Sequence, residues 1–337
     1  MEDKKQEFKW NICGHEKIVN FLESSIKNQK ISQAYLFYGP ESLGKYSLAK
    51  EFGKAILCGD SAVRPCQKCH SCSQIEKGSH FDFFELSRIA DEAGKLKKDI
   101  SIEHVRDLIS RLKQGSLLGG YKIAIIRGAQ HLNLSAANAL LKTLEEPSSK
   151  TVIILTADDI SRLPKTVASR CQTIKFLPVA TAKIENFLIG AGASSDEAKI
   201  IARSANGAPG RAINFHYDKD ARDRYFKNVD LFLKLISQPL SYRWKIMEGI
   251  LPKDDIVAPD RILDDFAVAA RDVMLFANAN EMLVSNFTAI GSGVDLSRLS
   301  VKKSQEIIKK IKSAKQLLAQ NIGIKNVLEN LIITLPR

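Results

Sequence analysis

The sequence contains no apolar run approaching about eighteen residues, the length a membrane-spanning helix needs. Its opening, MEDKKQEFKW, lacks the apolar core of a secretory signal, so the expected compartment is the cytoplasm. Acidic residues are in deficit. Asp and Glu number 38 against 50 Lys and Arg, a formal net charge of +12. That imbalance favours a polyanionic partner such as nucleic acid, although charge governs association and not fold. No internal repeat is visible. Six cysteines in a reducing compartment are not expected to form disulfides.

What is present is a chain of 337 residues, 45% hydrophobic, long enough for two or three packed domains. AYLFY (34–38) reads as a buried strand that ends at Gly39. Further strands are expected at FDFFEL (81–86), KIAII (122–126), TVIILT (151–156) and TIKF (173–176). Helical patterns lie between them. Leu48, Phe52, Ala55 and Ile56 share one face, and so do Ile102, Val105, Leu108 and Leu112. Ser101 is a candidate cap for the second of these helices. Ser135 is a candidate cap for AANALLKTLEE, which should stop at Pro147. Strands alternating with helices imply an α/β fold with a parallel sheet covered on both faces. KLKKD (95–99) reads as a solvated loop. After Pro178 no strand is expected. SSDEAKIIARSANG (194–207) reads as a capped helix, and helical patterns such as Leu263, Phe266, Ala267, Ala270, Val273 and Ala277 follow. Boundaries are placed near 178 and 218.

GPESLGKYS (39–47) nearly satisfies the phosphate-loop pattern G-x-x-x-x-G-K-[ST]. Gly39, Gly44 and Lys45 fit, and the loop lies between strand and helix as the motif demands. The magnesium-binding hydroxyl is missing, because Tyr46 stands there. Ser47 cannot replace it, since one helical step rotates a side chain by roughly 100°. The Asp-Glu pair that ends a later strand in such ATPases is missing too. KIAII runs into Arg127-Gly128-Ala129-Gln130, and Arg127 would put a positive charge where magnesium should sit. Catalysis of phosphoryl transfer is mostly positioning and electrostatics, so both losses argue against turnover. Weak nucleotide binding through Gly39, Gly44 and Lys45, or none, is the expectation.

Cys58, Cys66, Cys69 and Cys72 read C-x7-C-x2-C-x2-C, a pattern that suits four thiolates on one tetrahedral zinc. His70 and His80 are nearby alternatives that a complete four-cysteine set does not need. Four protein ligands leave no open position, so the zinc would be structural. An iron–sulfur cluster fits the spacing less well. No helix with His ligands follows, which weighs against a DNA-reading finger.

These pieces occur together with NALLKTLEEP (138–147) and Ser169-Arg170-Cys171. The combination resembles the clamp-loader branch of the AAA+ proteins, and most of all the delta-prime type of subunit in bacterial DNA polymerase III. The resemblance covers about residues 1–215 firmly, and the remainder in texture and near NIGIKNVLENL (321–331). It implies an AAA+ parallel-sheet domain over 1–178 with a four-cysteine zinc module (58–72), a helical lid over 179–218, and an all-α collar over 219–337 that joins subunits. It implies a non-hydrolysing subunit that assists sliding-clamp loading onto primed DNA. Partners would be gamma/tau-type ATPase subunits, a delta subunit, the clamp, and DNA through the complex. Arg170 matches the family's arginine finger, which acts in trans on a neighbour's ATP. Thr156 lies at or beside the family's sensor position. In GAPGRA (207–212) Gly210 occupies the place of a nucleotide-sensing arginine, with Arg211 one position late. The rival expectations are an active gamma/tau-like ATPase, with Glu41 or Asp158 recruited to the metal, and a stand-alone zinc-stabilised DNA-binding protein.

Overall fold

Strands that are apolar at every position demand cover on both faces. A computed structural model of the chain describes residues 7–90, 97–116, 119–146, 148, 150–248, 259–278, 280, 284–286, 300–320 and 322–335. The chain opens with β1 (Glu7–Phe8), which pairs in parallel with β3 (Val63–Arg64). The main sheet comprises β2 (Ala34–Tyr38), β4 (Phe83–Leu86), β5 (Lys122–Ile126), β6 (Thr151–Ala157) and β7 (Gln172–Lys175). Its order is β4-β5-β6-β2-β7, with every neighbouring pair parallel. All five expected strands are present, within two residues of their expected limits.

Side chains alternate across the pleat and feed two cores. Tyr35, Phe37, Ile123, Ile125 and Ile154 face α1 (Glu16–Lys27) and α2 (Lys45–Leu57), which contribute Leu22, Ile26, Leu48 and Phe52. Leu36, Ala124, Ile126, Ile153 and Leu155 pack with Val105, Leu108 and Leu112 of α4 (Ile102–Lys113) and Leu140 and Leu144 of α5 (Leu134–Glu145). Between α2 and α4 lies α3 (His70–Glu76), and before β7 lies the four-residue α6 (Lys165–Ala168).

Two capping expectations need correction. Asn133, not Ser135, caps α5, and its side chain accepts from the Ala136 N–H at 2.8 Å. Asn is as good a cap as Ser, and its use starts the helix two residues earlier. Ser101 does occupy the cap position of α4, but its hydroxyl bonds His104 Nδ1 at 2.9 Å and not a backbone N–H. Pro147, Asn321 and the start of KLKKD (95–96) lie outside the described residues.

The contacts divide the chain into two units, Met1–Ile184 with Ala208–Gly210, and Glu185–Gly207 with Arg211–Arg337. No strand follows β7 among the described residues. The remaining helices are α7 (Thr181–Gly190), α8 (Ser195–Ser204), α9 (Pro209–Tyr217), α10 (Lys219–Ser237), α11 (Leu240–Glu248), α12 (Pro259–Ala277), α13 (Val301–Ala319) and α14 (Ile324–Thr334). Ser194 caps α8 by accepting from the Glu197 N–H. In the second unit Val229, Phe232, Leu263, Phe266, Val273, Ile307, Ile311 and Leu331 are buried. The chain is therefore a parallel-sheet α/β protein with a helical C-terminal region.

Candidate nucleotide loop, metal cluster and arginine

In open parallel sheets, ligands bind beyond the carboxyl ends of the strands. The phosphate loop leaves the carboxyl end of β2 and reaches α2 at Gly44, whose φ of +87° places it in the left-handed region. Lys45 should project from this turn toward phosphate. Instead it is 7% exposed and folded back on its own loop. Its ammonium group donates to the carbonyls of Gly39 at 2.5 Å and Pro40 at 2.6 Å, and to Asp158 Oδ1 at 3.0 Å. An ammonium has three N–H donors, and these three acceptors use them all. Asp158 is fixed in turn by Gln130, whose Nε2 donates to Oδ2 at 2.6 Å.

The rest of the loop is also tied to this fold. His15 Nε2 lies 2.8 Å from the Leu43 carbonyl, and burial lowers the imidazole's pKa, keeping the ring neutral. The Gly210 N–H donates to the Ser42 carbonyl at 2.8 Å. It belongs to the first turn of α9, where backbone N–H groups lack helical partners. A Cβ at Gly210 would meet that carbonyl oxygen at 2.9 Å, so any side chain there would push on the loop.

Tyr46, where the motif has its hydroxyl, and Arg127, which follows β5, pack against each other. The Arg127 guanidinium carbon lies 3.9 Å from the centre of the Tyr46 ring. The Tyr46 hydroxyl donates to Glu85, 2.9 Å from each carboxylate oxygen. Burial, and then this bond, push the phenol up to about 12. Thr156 Oγ1 accepts from the Gly128 N–H at 3.1 Å, so this hydroxyl braces the turn after β5.

The four sulfurs of Cys58, Cys66, Cys69 and Cys72 all lie within 4.8 Å of one another. Four sulfurs around one zinc at the usual bond length would stand about 3.8 Å apart. The Cys58 and Cys69 sulfurs are 3.9 Å apart. Backbone N–H groups of Cys66, Cys69 and Cys72 point at sulfurs of Cys58, Cys66 and Cys69 at 3.2–3.5 Å. Such donors favour the thiolates that zinc requires. The donor set therefore fits a structural zinc. His80 is outside the cluster, and its Nδ1 accepts from the Asp82 N–H. The knuckle is joined to α2 by hydrogen bonds between the exposed Gln67 and the buried Glu51 and Lys54. Gln67 Nε2 donates to Glu51 at 2.6 Å, and Lys54 donates to Glu51 and Gln67 at 3.0 and 3.1 Å.

Arg170 lies at the other end of the sheet. It precedes β7, where Gln172 pairs with Tyr35 of β2, whereas the loop begins after Tyr38. Extending that register puts Arg170 level with residue 33, six steps of about 3.3 Å from Gly39, so roughly 20 Å away. Its Nε donates to Glu145 Oε1 at 2.6 Å, and its Nη1 to the Thr166 carbonyl at 2.9 Å.

The structure thus gathers Gly39, Gly44 and Lys45 at one place and the four cysteines at another, with Arg170 apart from both. Asp158 as the partner of Lys45, Gln130 as the partner of Asp158, Glu145 beside Arg170, and Gln67 as the knuckle's link to α2 were missed from sequence. The one available signal was that Asp158 comes just after an expected strand, as the loop does.

A family profile described as DNA polymerase III, delta subunit, matches residues 14–180. A DNA polymerase III subunit delta' of Pseudomonas aeruginosa is 35% identical over 221 residues, 63% of this chain and 66% of that protein. The delta' subunit of Bacillus subtilis is 27% identical over 321 residues, 95% of each chain. A DNA polymerase III subunit gamma of Buchnera aphidicola is 30% identical over 254 residues, 72% of this chain and 68% of that protein. The chain belongs to the family of DNA polymerase III delta' subunits.

Proposed function

We propose that this chain is a clamp-loader subunit of the replicative DNA polymerase that does not hydrolyse ATP and supplies Arg170 to the ATP site of a neighbouring subunit. The observation that carries the reading is the polarity of the sheet. Arg170 lies roughly 20 Å from its own phosphate loop, far beyond the reach of an arginine side chain. It can serve only a site on another chain. A guanidinium suits that task because it is planar, permanently charged and able to engage phosphate oxygens bidentately.

The chain's own loop supports the complementary half. Lys45 is satisfied by internal acceptors, and Tyr46 and Arg127 fill the metal positions. A gamma/tau-like active ATPase would need both to rearrange. Cys58, Cys66, Cys69 and Cys72 would hold a zinc that orders residues 58–72 and takes no part in chemistry. Residues 179–218 are read as a lid and 219–337 as a collar that joins gamma/tau-type and delta subunits. The sliding clamp and primed DNA are reached through that assembly, in the cytoplasm, with basic side chains tracking DNA phosphates without reading sequence.

The test is reconstitution with gamma/tau-type and delta subunits. Arg170→Ala should assemble normally by size-exclusion chromatography, and it should slow the one ATP site that it completes by roughly 10³-fold or more. Unchanged DNA-stimulated turnover would remove the role in trans.

A further inference from the structure

We propose that Glu145 is the positioning residue for Arg170, holding its guanidinium in the orientation from which it meets a neighbour's phosphate. The inference rests on Arg170 acting in trans. Arg170 lies in the turn after α6 with its side chain 34% exposed, a setting in which arginine ordinarily samples many rotamers. Here it is held on two sides. Nε donates to Glu145 Oε1 at 2.6 Å, Nη2 closes on the same oxygen, and Nη1 donates to the Thr166 carbonyl at 2.9 Å. Three of the five guanidinium N–H groups are used. One remains on Nη1 and one on Nη2, a pair suited to a planar two-point contact with phosphate.

Glu145 is a poor choice for the fold alone. It is the last residue of α5, and Glu146 follows it. Carboxylates at a helix C-terminus oppose the macrodipole. An ion pair this exposed also contributes little to stability. The topology supplies a reason. α5 leads into the amino end of β6 and the Arg170 turn leads into the amino end of β7, so both side chains arrive at one end of the sheet. The carboxylate lowers the net charge offered to a triphosphate. What it contributes is a guanidinium already ordered before the neighbour docks, with less freedom to lose at the transition state.

The test measures DNA-stimulated ATP turnover and thermal unfolding in the complex reconstituted with gamma/tau-type and delta subunits. The variants are Glu145→Ala, Glu145→Gln, Arg170→Ala and the Glu145→Ala/Arg170→Ala double. Glu145→Ala should lower turnover roughly 10-fold with little change in melting temperature, as expected for lost orientation. Glu145→Gln keeps an acceptor oxygen without the charge and should recover most of the loss. In the Arg170→Ala background Glu145→Ala should cost nothing more. Glu145→Ala turning over at or above the wild-type rate, while Arg170→Ala is slow, overturns the proposal. So does an equal loss in the Arg170→Ala background, or Glu145→Gln as slow as Arg170→Ala. If Arg170→Ala itself is unaffected, the role in trans fails, and the positioning role fails with it.

Discussion

Replacing Asp158 with alanine should turn a closed phosphate loop into an anion-binding one. In the wild type the three Lys45 donors are matched to three acceptors, of which Asp158 is the only charged one. A hydrogen bond involving a charged group contributes about 1.5–3 kcal/mol. Asp158 is 28% exposed, which draws its contribution toward the lower end, and the bond from Gln130 is lost with it. The variant should therefore be destabilised by about 2 kcal/mol. For a unit of this size that is roughly 4–8 °C in melting temperature. The freed N–H can then serve a phosphate oxygen in place of the carboxylate. An interaction of the same size corresponds to roughly 10- to 100-fold in Kd. The assay is fluorescence anisotropy of a labelled ATP without magnesium, beside a thermal melt that verifies folding. Asp158→Asn keeps an acceptor and should fall between the two. Lys45→Ala added to Asp158→Ala should abolish the gain. The reasoning is refuted if the wild type binds nucleotide as tightly as the variant, or if folded Asp158→Ala binds no better than the wild type.

Three further outcomes follow from the geometry. Metal analysis of protein grown with zinc should find about one zinc per chain, and Cys69→Ser or a strong chelator should bring it toward zero with a melting temperature lower by at least ~5 °C. Gly210→Ala should lower the melting temperature of the first unit, because its Cβ would stand 2.9 Å from the Ser42 carbonyl oxygen; an unchanged melt would mean that the loop yields freely. In the second unit, desolvation raises Asp265 from its ordinary 3.8 to about 6, against a hydrogen bond from Asn228. The folded state holds this proton more tightly than the unfolded chain, so the contribution of Asp265 to stability falls as pH rises from about 4 to about 6. Asp265→Asn should flatten that segment of the pH–stability curve and stabilise the unit at neutral pH by about 1–3 kcal/mol, measured by urea unfolding.

The elements that sequence reasoning recovered are those whose signal is local. β5 and β6 are apolar at nearly every position, and a chain that buries both faces of a strand can do little else with them. The four cysteines are legible because their spacing is itself the chemistry. The loop glycines are legible because the turn into α2 requires left-handed backbone at Gly44. What stayed hidden depends on residues that the crossovers bring together. Asp158 is 113 positions from Lys45, and Glu145 is 25 from Arg170. No periodicity links such pairs. They become neighbours only once the strand order is fixed, and single-sequence patterns do not fix it. The β1–β3 pairing was equally invisible, since two-residue strands carry no alternation to detect. The cap of α5 was missed for a smaller reason. Asn133 and Ser135 are both good caps, and local residue type does not choose between the two starts.

The two ends of this sheet have separate fates. In a ring of such domains, a subunit would receive nucleotide at the carboxyl ends of its strands and donate a cation from the amino ends. Here the receiving end has turned inward. Its lysine is held by Asp158, Tyr46 and Arg127 pack on each other, and its loop tip is held by His15 and Gly210. The donating end has not, because the two remaining guanidinium N–H groups of Arg170 meet no partner among the described residues. The hydrogen bonds that hold Lys45 and those that hold Arg170 share no residue, so a change at one end need not disturb the other. On the proposed reading, a subunit in that condition would complete one neighbour's site and need none completed for itself. That would restrict it to one end of the run of working sites, and a chain that hydrolyses no ATP itself could still set the rate of a site beside it.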